Sequence, residues 1–130
     1  MIRKTFALGM VLLLAGVLSA QDSKTVKLTG LVIDNACASG AHGDAAKTAE
    51  KAKGHPVSCA LMPGCEKSGY SLVAGDKIYK LDDAGNKSVV ETLNSTKSKK
   101  GLMVMAEGTI EGDTLRVTKL YEVTEDKAGR

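Results

Sequence analysis

All three cysteines and both histidines of the chain, Cys37, His42, His55, Cys59 and Cys65, lie between positions 37 and 65. Sulfur and imidazole crowded onto one segment can form a metal cage, a disulfide clamp with a spare thiol, or a redox centre. As Cys37-x4-His42 and His55-x3-Cys59-x5-Cys65, the segment offers five donors, one more than a tetrahedral site needs. A cage would take Cys37, Cys59 and Cys65 as thiolates and His42 as fourth ligand, with His55 as substitute. That set suits zinc, with Zn–S near about 2.3 Å, and with Met62 close by it also suits Cu(I). Neither pair has the two-residue spacing of a zinc knuckle, and Cys-x-x-Cys-His for haem is absent. The identity of a bound ion, zinc or copper, stays open.

The same residues admit two other readings. Pro63-Gly64 reads as a turn that would bring Cys59 and Cys65 within bridging reach. Alternatively Cys37 pairs with one of them and closes a loop of about thirty residues, worth roughly 3 kcal/mol in the chain-entropy model. Thiol catalysis would use Cys37 with His42 or His55 as base. No third orienting residue or oxyanion donor can be named for it, and Cys-x-x-Cys is missing. The expectation is therefore a non-enzymatic binding module.

These side chains need a scaffold, and the flanking sequence alternates. From Thr25 to Asp34, Val26, Leu28 and Val32 point one way while Leu31 and Ile33 point the other, with Gly30 marking a bulge or barrel corner. Alternation then stops, and residues 35–69 form an insertion. Within it Asp44 to Lys53 predicts a short surface helix, with Asp44 as N-cap and Gly54 as stop. Its apolar side is only alanine, which predicts shallow packing. Strands resume at Tyr70–Ala74 and Lys77–Leu81 across the Gly75-Asp76 hairpin signal. Asp82 to Asn86 reads as a turn cluster, and Ser88 to Lys97 as a helix with Ser88 and Glu91 as its capping box. Lys97 to Gly101 is a basic connection. Leu102–Ile110 and Thr114–Val123 are two further strands, and a polar tail follows.

The order strand, long insertion, strand, strand, helix, strand, strand predicts a mainly β fold. It matches a small five-stranded OB-like barrel with one helix between strands three and four. The insertion then occupies the loop beside the usual ligand face of that fold.

Residues 1–20 read as an export signal. Arg3 and Lys4 form a positive n-region before an apolar run from Phe6 to Leu18 that is too short to span a membrane. Cleavage after Ala20 leaves one domain over 21–130 with no stable membrane anchor, in the periplasm or secreted, where disulfides persist. The whole chain carries 18 Lys+Arg against 15 Asp+Glu. Loss of Arg3 and Lys4 leaves 16 against 15. A nearly neutral domain with three tyrosines and no tryptophan is a poor nucleic-acid binder, lacking both phosphate-neutralising charge and stacking surfaces. The partner expected instead is a protein or a small ligand.

The runs LTGLVIDNAC, CALMPGCEKSGYSLVAGDKIYKLD and AEGTIEGDTLRVTKLYEV resemble a group of small exported bacterial proteins of uncharacterised function. The likeness extends over nearly all of the mature chain. It implies an exported OB-like domain with a Cys/His segment and no established activity. The five-residue spacer between Cys59 and Cys65 is longer than the tighter pair of some relatives.

Overall fold

The computed structural model describes residues 24–124. The export signal expected over 1–20 and most of the polar tail lie outside the described residues. Five strands form a closed barrel, β1 (Thr25–Asp34), β2 (Tyr70–Ala74), β3 (Lys77–Leu81), β4 (Met103–Glu111) and β5 (Thr114–Glu122), in the order β1-β2-β3-β5-β4. All pairs are antiparallel except β3 with β5, where Lys80 and Leu81 lie beside Thr114 and Leu115 in parallel. This is the OB-like arrangement that the element order predicts.

The long first strand closes the barrel because it serves two neighbours. Residues 25–31 pair with β4, and residues 31–34 pair with β2. Gly30 stands at the changeover, where any Cβ would run into the carbonyl of Val73. A glycine is what permits so close a backbone approach. The expected alternation holds on both sides of it. Val32 is buried inside the barrel with Tyr70, Leu72, Leu81, Val104 and Leu115, and Val26 and Leu28 pack against that core. Leu31 and Ile33 point outward into a second cluster with Val73 and Ala52.

That second cluster lies under the insertion, which contains four short helices where the sequence predicts one. They are α1 (Asn35–Ala38), α2 (Ala45–Gly54), α3 (Val57–Ala60) and α4 (Pro63–Ser68), with a 3-10 turn at Ser39–Ala41. Asp44 caps α2 as expected, its Oδ1 accepting the Lys47 N–H at 2.9 Å. The alanine face of α2 does more than skim the surface, since Ala52 and Thr48 are fully buried. Small side chains let the helix axis come close to the sheet. Pro63, read as part of a turn, is the first residue of α4, a position where its fixed φ and missing N–H are no handicap.

A fifth helix, α5 (Asp83–Ser95), joins β3 to β4 and buries Val89 and Leu93 in the barrel core. It starts five residues before the Ser88 start read from the sequence. Asp82 is its cap, with Oδ1 accepting N–H groups from Gly85 at 3.0 Å and Val117 at 3.1 Å. The turn cluster is thus the first helical turn. Gly85 is needed there because a side chain would meet Val117 and Leu81. Among the described residues no helix is long and apolar enough to cross a membrane.

Candidate metal centre

The last residue of β1 is an aspartate with no solvent exposure, Asp34. Burying a carboxylate is costly unless donors surround it, and here they do. It caps α1, with Oδ1 accepting the Cys37 N–H at 2.9 Å. Oδ2 meets His55 Nε2 at 2.6 Å, and the His55 side chain is only 11 % exposed. The Cys37 and Cys65 thiols face the same carboxylate. The Cys37 and Cys65 sulfurs and an Asp34 oxygen all lie within 4.8 Å of one another.

Backbone hydrogen bonds bring these side chains together. Asn35 N donates to Gly69 O at 2.9 Å, Asn35 Nδ2 to Ser68 O at 2.9 Å, and Ala36 N to Ser68 Oγ at 3.1 Å. Ser71 Oγ in turn donates to Asn35 Oδ1. Together they tie the start of α1 to the end of α4, and so Cys37 to Cys65. The third element is set from the other side. Val57 N donates to Lys99 O at 2.9 Å, and Gly101 N donates to His55 O at 3.1 Å. The basic connection before β4 is therefore the clamp that holds His55 against Asp34. Tyr70, fully buried, donates its hydroxyl to Ala60 O at 2.7 Å and anchors α3.

Electrostatics match this packing. Burial pushes the Asp34 carboxyl up, but the Cys37 N–H, His55 and the Cys37 thiol outweigh it and hold it below its ordinary value. Burial, then the Asp34 charge and its hydrogen bond, then Cys65, push the Cys37 thiol up to about 11. Cys65 is raised too, by burial first and then by Asp34. Two thiols, both held toward their protonated form, thus stand beside one buried carboxylate. A cation that replaces those protons meets three anionic donors at once.

The five residues singled out from the sequence divide between two places. Cys37, Cys65 and His55 converge on Asp34. His42 is exposed, with a left-handed backbone (φ 49°) after the 3-10 turn. Cys59, half-buried on α3, stays outside the group but close enough to help raise the Cys65 thiol. All three cysteines are free thiols. The centre of the group, Asp34, is absent from the donor set read from the sequence. Its signal was Asp-x-x-Cys at a strand end: a capping acid followed by a cysteine whose N–H it captures.

The donor set fits a metal ion of intermediate softness. Around a tetrahedral zinc, ligand atoms sit roughly 3.5–3.8 Å apart, given bonds of about 2.0–2.3 Å. The three donor atoms, within 4.8 Å of one another, lie close to that spacing. One oxygen among the donors favours zinc over Cu(I), which prefers an all-sulfur set. Around such an ion His55, bonded to Asp34 Oδ2, would orient the carboxylate from behind, as outer partners of metal ligands do. Compared with known proteins, the chain matches no family model, no curated protein and no solved structure.

Proposed function

We propose that the protein is a small exported binding module that holds one metal ion of intermediate softness, zinc in preference to copper, where the insertion meets the end of β1. Asp34, Cys37 and Cys65 are the ligands and His55 is the orienting partner. One observation carries this reading: the three donor atoms lie within 4.8 Å of one another around a buried carboxylate. The leader expected over 1–20 and the likeness to small exported proteins support the exported part. The alternative is a disulfide-stapled domain that binds an envelope protein without metal, and it draws on the same closeness of Cys37 and Cys65. Against a permanent staple stands the buried carboxylate beside both sulfurs, whose neighbouring thiols a disulfide would take away.

Reduced protein, purified without chelator, is the test. Stoichiometric zinc by elemental analysis, lost in Asp34→Asn and Cys65→Ser but kept in His42→Ala, is the expected result. Metal-free protein that loses two titratable thiols in air and never takes up zinc or copper would establish the staple instead.

A further inference from the structure

Three protein donors leave a tetrahedral ion one position short. His55 is the obvious fourth, yet its Nε2 is committed to Asp34 Oδ2 at 2.6 Å. Beside the group lies a cleft of about 480 Å³, whose wall includes Cys37 and His55 together with Ile33, Ala36, Lys51 and Pro56. That is room enough for a small molecule. Cys37 and His55 lie in the wall while Asp34 and Cys65 stand behind it, so the cleft meets the group on its Cys37–His55 side.

Charge selects what could enter. Two thiolates and a carboxylate around a divalent ion sum to a net negative centre, so a fourth anionic donor would add repulsion in a part-buried site. A neutral nitrogen donor would not. The cleft also holds a cation, Lys51, which extends over Gly40 at a point where a side chain would collide with its ammonium group. Lys51 forms no ion pair among the described residues. Ile33, Ala36 and Pro56 add apolar wall, and Ser39 adds a hydroxyl-bearing residue.

We propose that the centre keeps one coordination position open to this cleft, for a small molecule that joins a neutral nitrogen donor to a carboxylate. The nitrogen takes the open position and the carboxylate pairs with Lys51. Amino acids with imidazole or amine donors have this chemistry, and the module would then bind a metal together with a small chelating ligand. This rests on the metal reading above, so the test reports on the two separately.

The probe is the cobalt(II)-substituted protein. A sulfur-to-cobalt charge-transfer band reports the thiolates, and the visible d–d bands report the fourth ligand. Three small molecules are compared: imidazole, acetate and imidazole-4-acetate. Imidazole and imidazole-4-acetate should both shift the d–d bands while the charge-transfer band persists, the second binding at least tenfold more tightly. Acetate should leave the bands unmoved. Lys51→Glu should abolish the tenfold preference and leave imidazole affinity within twofold. If the charge-transfer band is present but no ligand moves the d–d bands, the position is filled from within and the inference fails while the metal reading stands. Acetate shifting the bands as well as imidazole does, or a preference untouched by Lys51→Glu, also overturns it. Absence of the charge-transfer band in cobalt-loaded protein removes both readings.

Discussion

His55 Nε2 lies 2.6 Å from Asp34 Oδ2, joining the end of α2 to the end of β1 through two side chains almost shut off from water. The contact aims the Asp34 carboxylate, whose Oδ1 is already fixed by the Cys37 N–H. Replacing His55 by Ala leaves one buried oxygen without its donor. Loss of an outer partner typically lowers metal affinity 10- to 100-fold, and that is the expected drop for zinc in a competition titration with a chromophoric chelator. His55→Gln, which can still donate, should recover part of it. Metal-free His55→Ala should also lose about 1–3 kcal/mol in urea unfolding, the penalty for an unpaired buried group. Unchanged affinity in both variants would remove His55 from the site.

Thiol ionisation supplies a second prediction. In metal-free protein Cys37 is pushed up to about 11 by burial and by Asp34. Site-resolved alkylation with iodoacetamide should therefore reach half its maximal rate near pH 11 at Cys37. In Asp34→Asn the midpoint should fall toward the ordinary value of 9.0. Because the fold favours the protonated thiol, its contribution to stability is complete below pH 9 and is lost as pH climbs toward 11. Asp34 behaves oppositely. Its lowered value stabilises the fold above the ordinary 3.8, and that contribution disappears as pH falls through the folded value. Zinc binding at neutral pH should release one proton from each thiol, read by calorimetry in buffers of different ionisation enthalpy. Zinc uptake without proton release would exclude the thiols as ligands.

Gly101 tests whether the basic connection positions the site. Its φ is +66°, and a Cβ there would come within 2.7 Å of Lys53 O. Both facts disfavour any other residue, the backbone alone costing about 1–2 kcal/mol. Gly101 N also holds the His55 carbonyl. Gly101→Ala should accordingly cost at least about 1 kcal/mol in urea unfolding and should weaken zinc binding, although residue 101 touches no ligand. Destabilisation with unchanged zinc affinity would show that His55 is placed by α2 alone.

The barrel was legible because it is written in local patterns. Val26, Leu28 and Val32 against Leu31 and Ile33 gave both faces of β1, and Gly30 gave its bend. Gly75-Asp76 fixed the β2–β3 hairpin. The insertion was read less well, since its geometry comes from contacts between distant residues. Asn35 with Ser68 and Gly69, or Val57 with Lys99, leave no periodic trace in the chain. Cys37, Cys65 and His55 were recognisable by type, but nothing local separates His55 from His42. The difference is that α2 and the 99–101 clamp deliver one inward, while a left-handed turn leaves the other in solvent. Asp34 was overlooked as a donor because the sequence marks it only as the last residue of a strand, and its cap on α1 and its closeness to Cys65 come from the fold.

A cap misassigned from the sequence yields the last prediction. Ser88 followed by Glu91 has the spacing of a capping box, yet α5 begins at Asp83 and Ser88 lies inside it. Asp82 takes the role because it serves two elements, capping Gly85 and accepting the Val117 N–H of β5. Its carboxylate thus ties the helix to the strand pair that closes the barrel. Asp82→Ala removes a cap, worth about 0.5–2 kcal/mol, and leaves the Val117 N–H without its acceptor, so the loss should lie at or above the top of that range. Ser88→Ala should stay within about 0.5 kcal/mol, as substitutions away from such features do. Urea unfolding of the two single variants decides it. Equal losses would mean that the helix depends on Ser88 as much as on the aspartate that spans to β5.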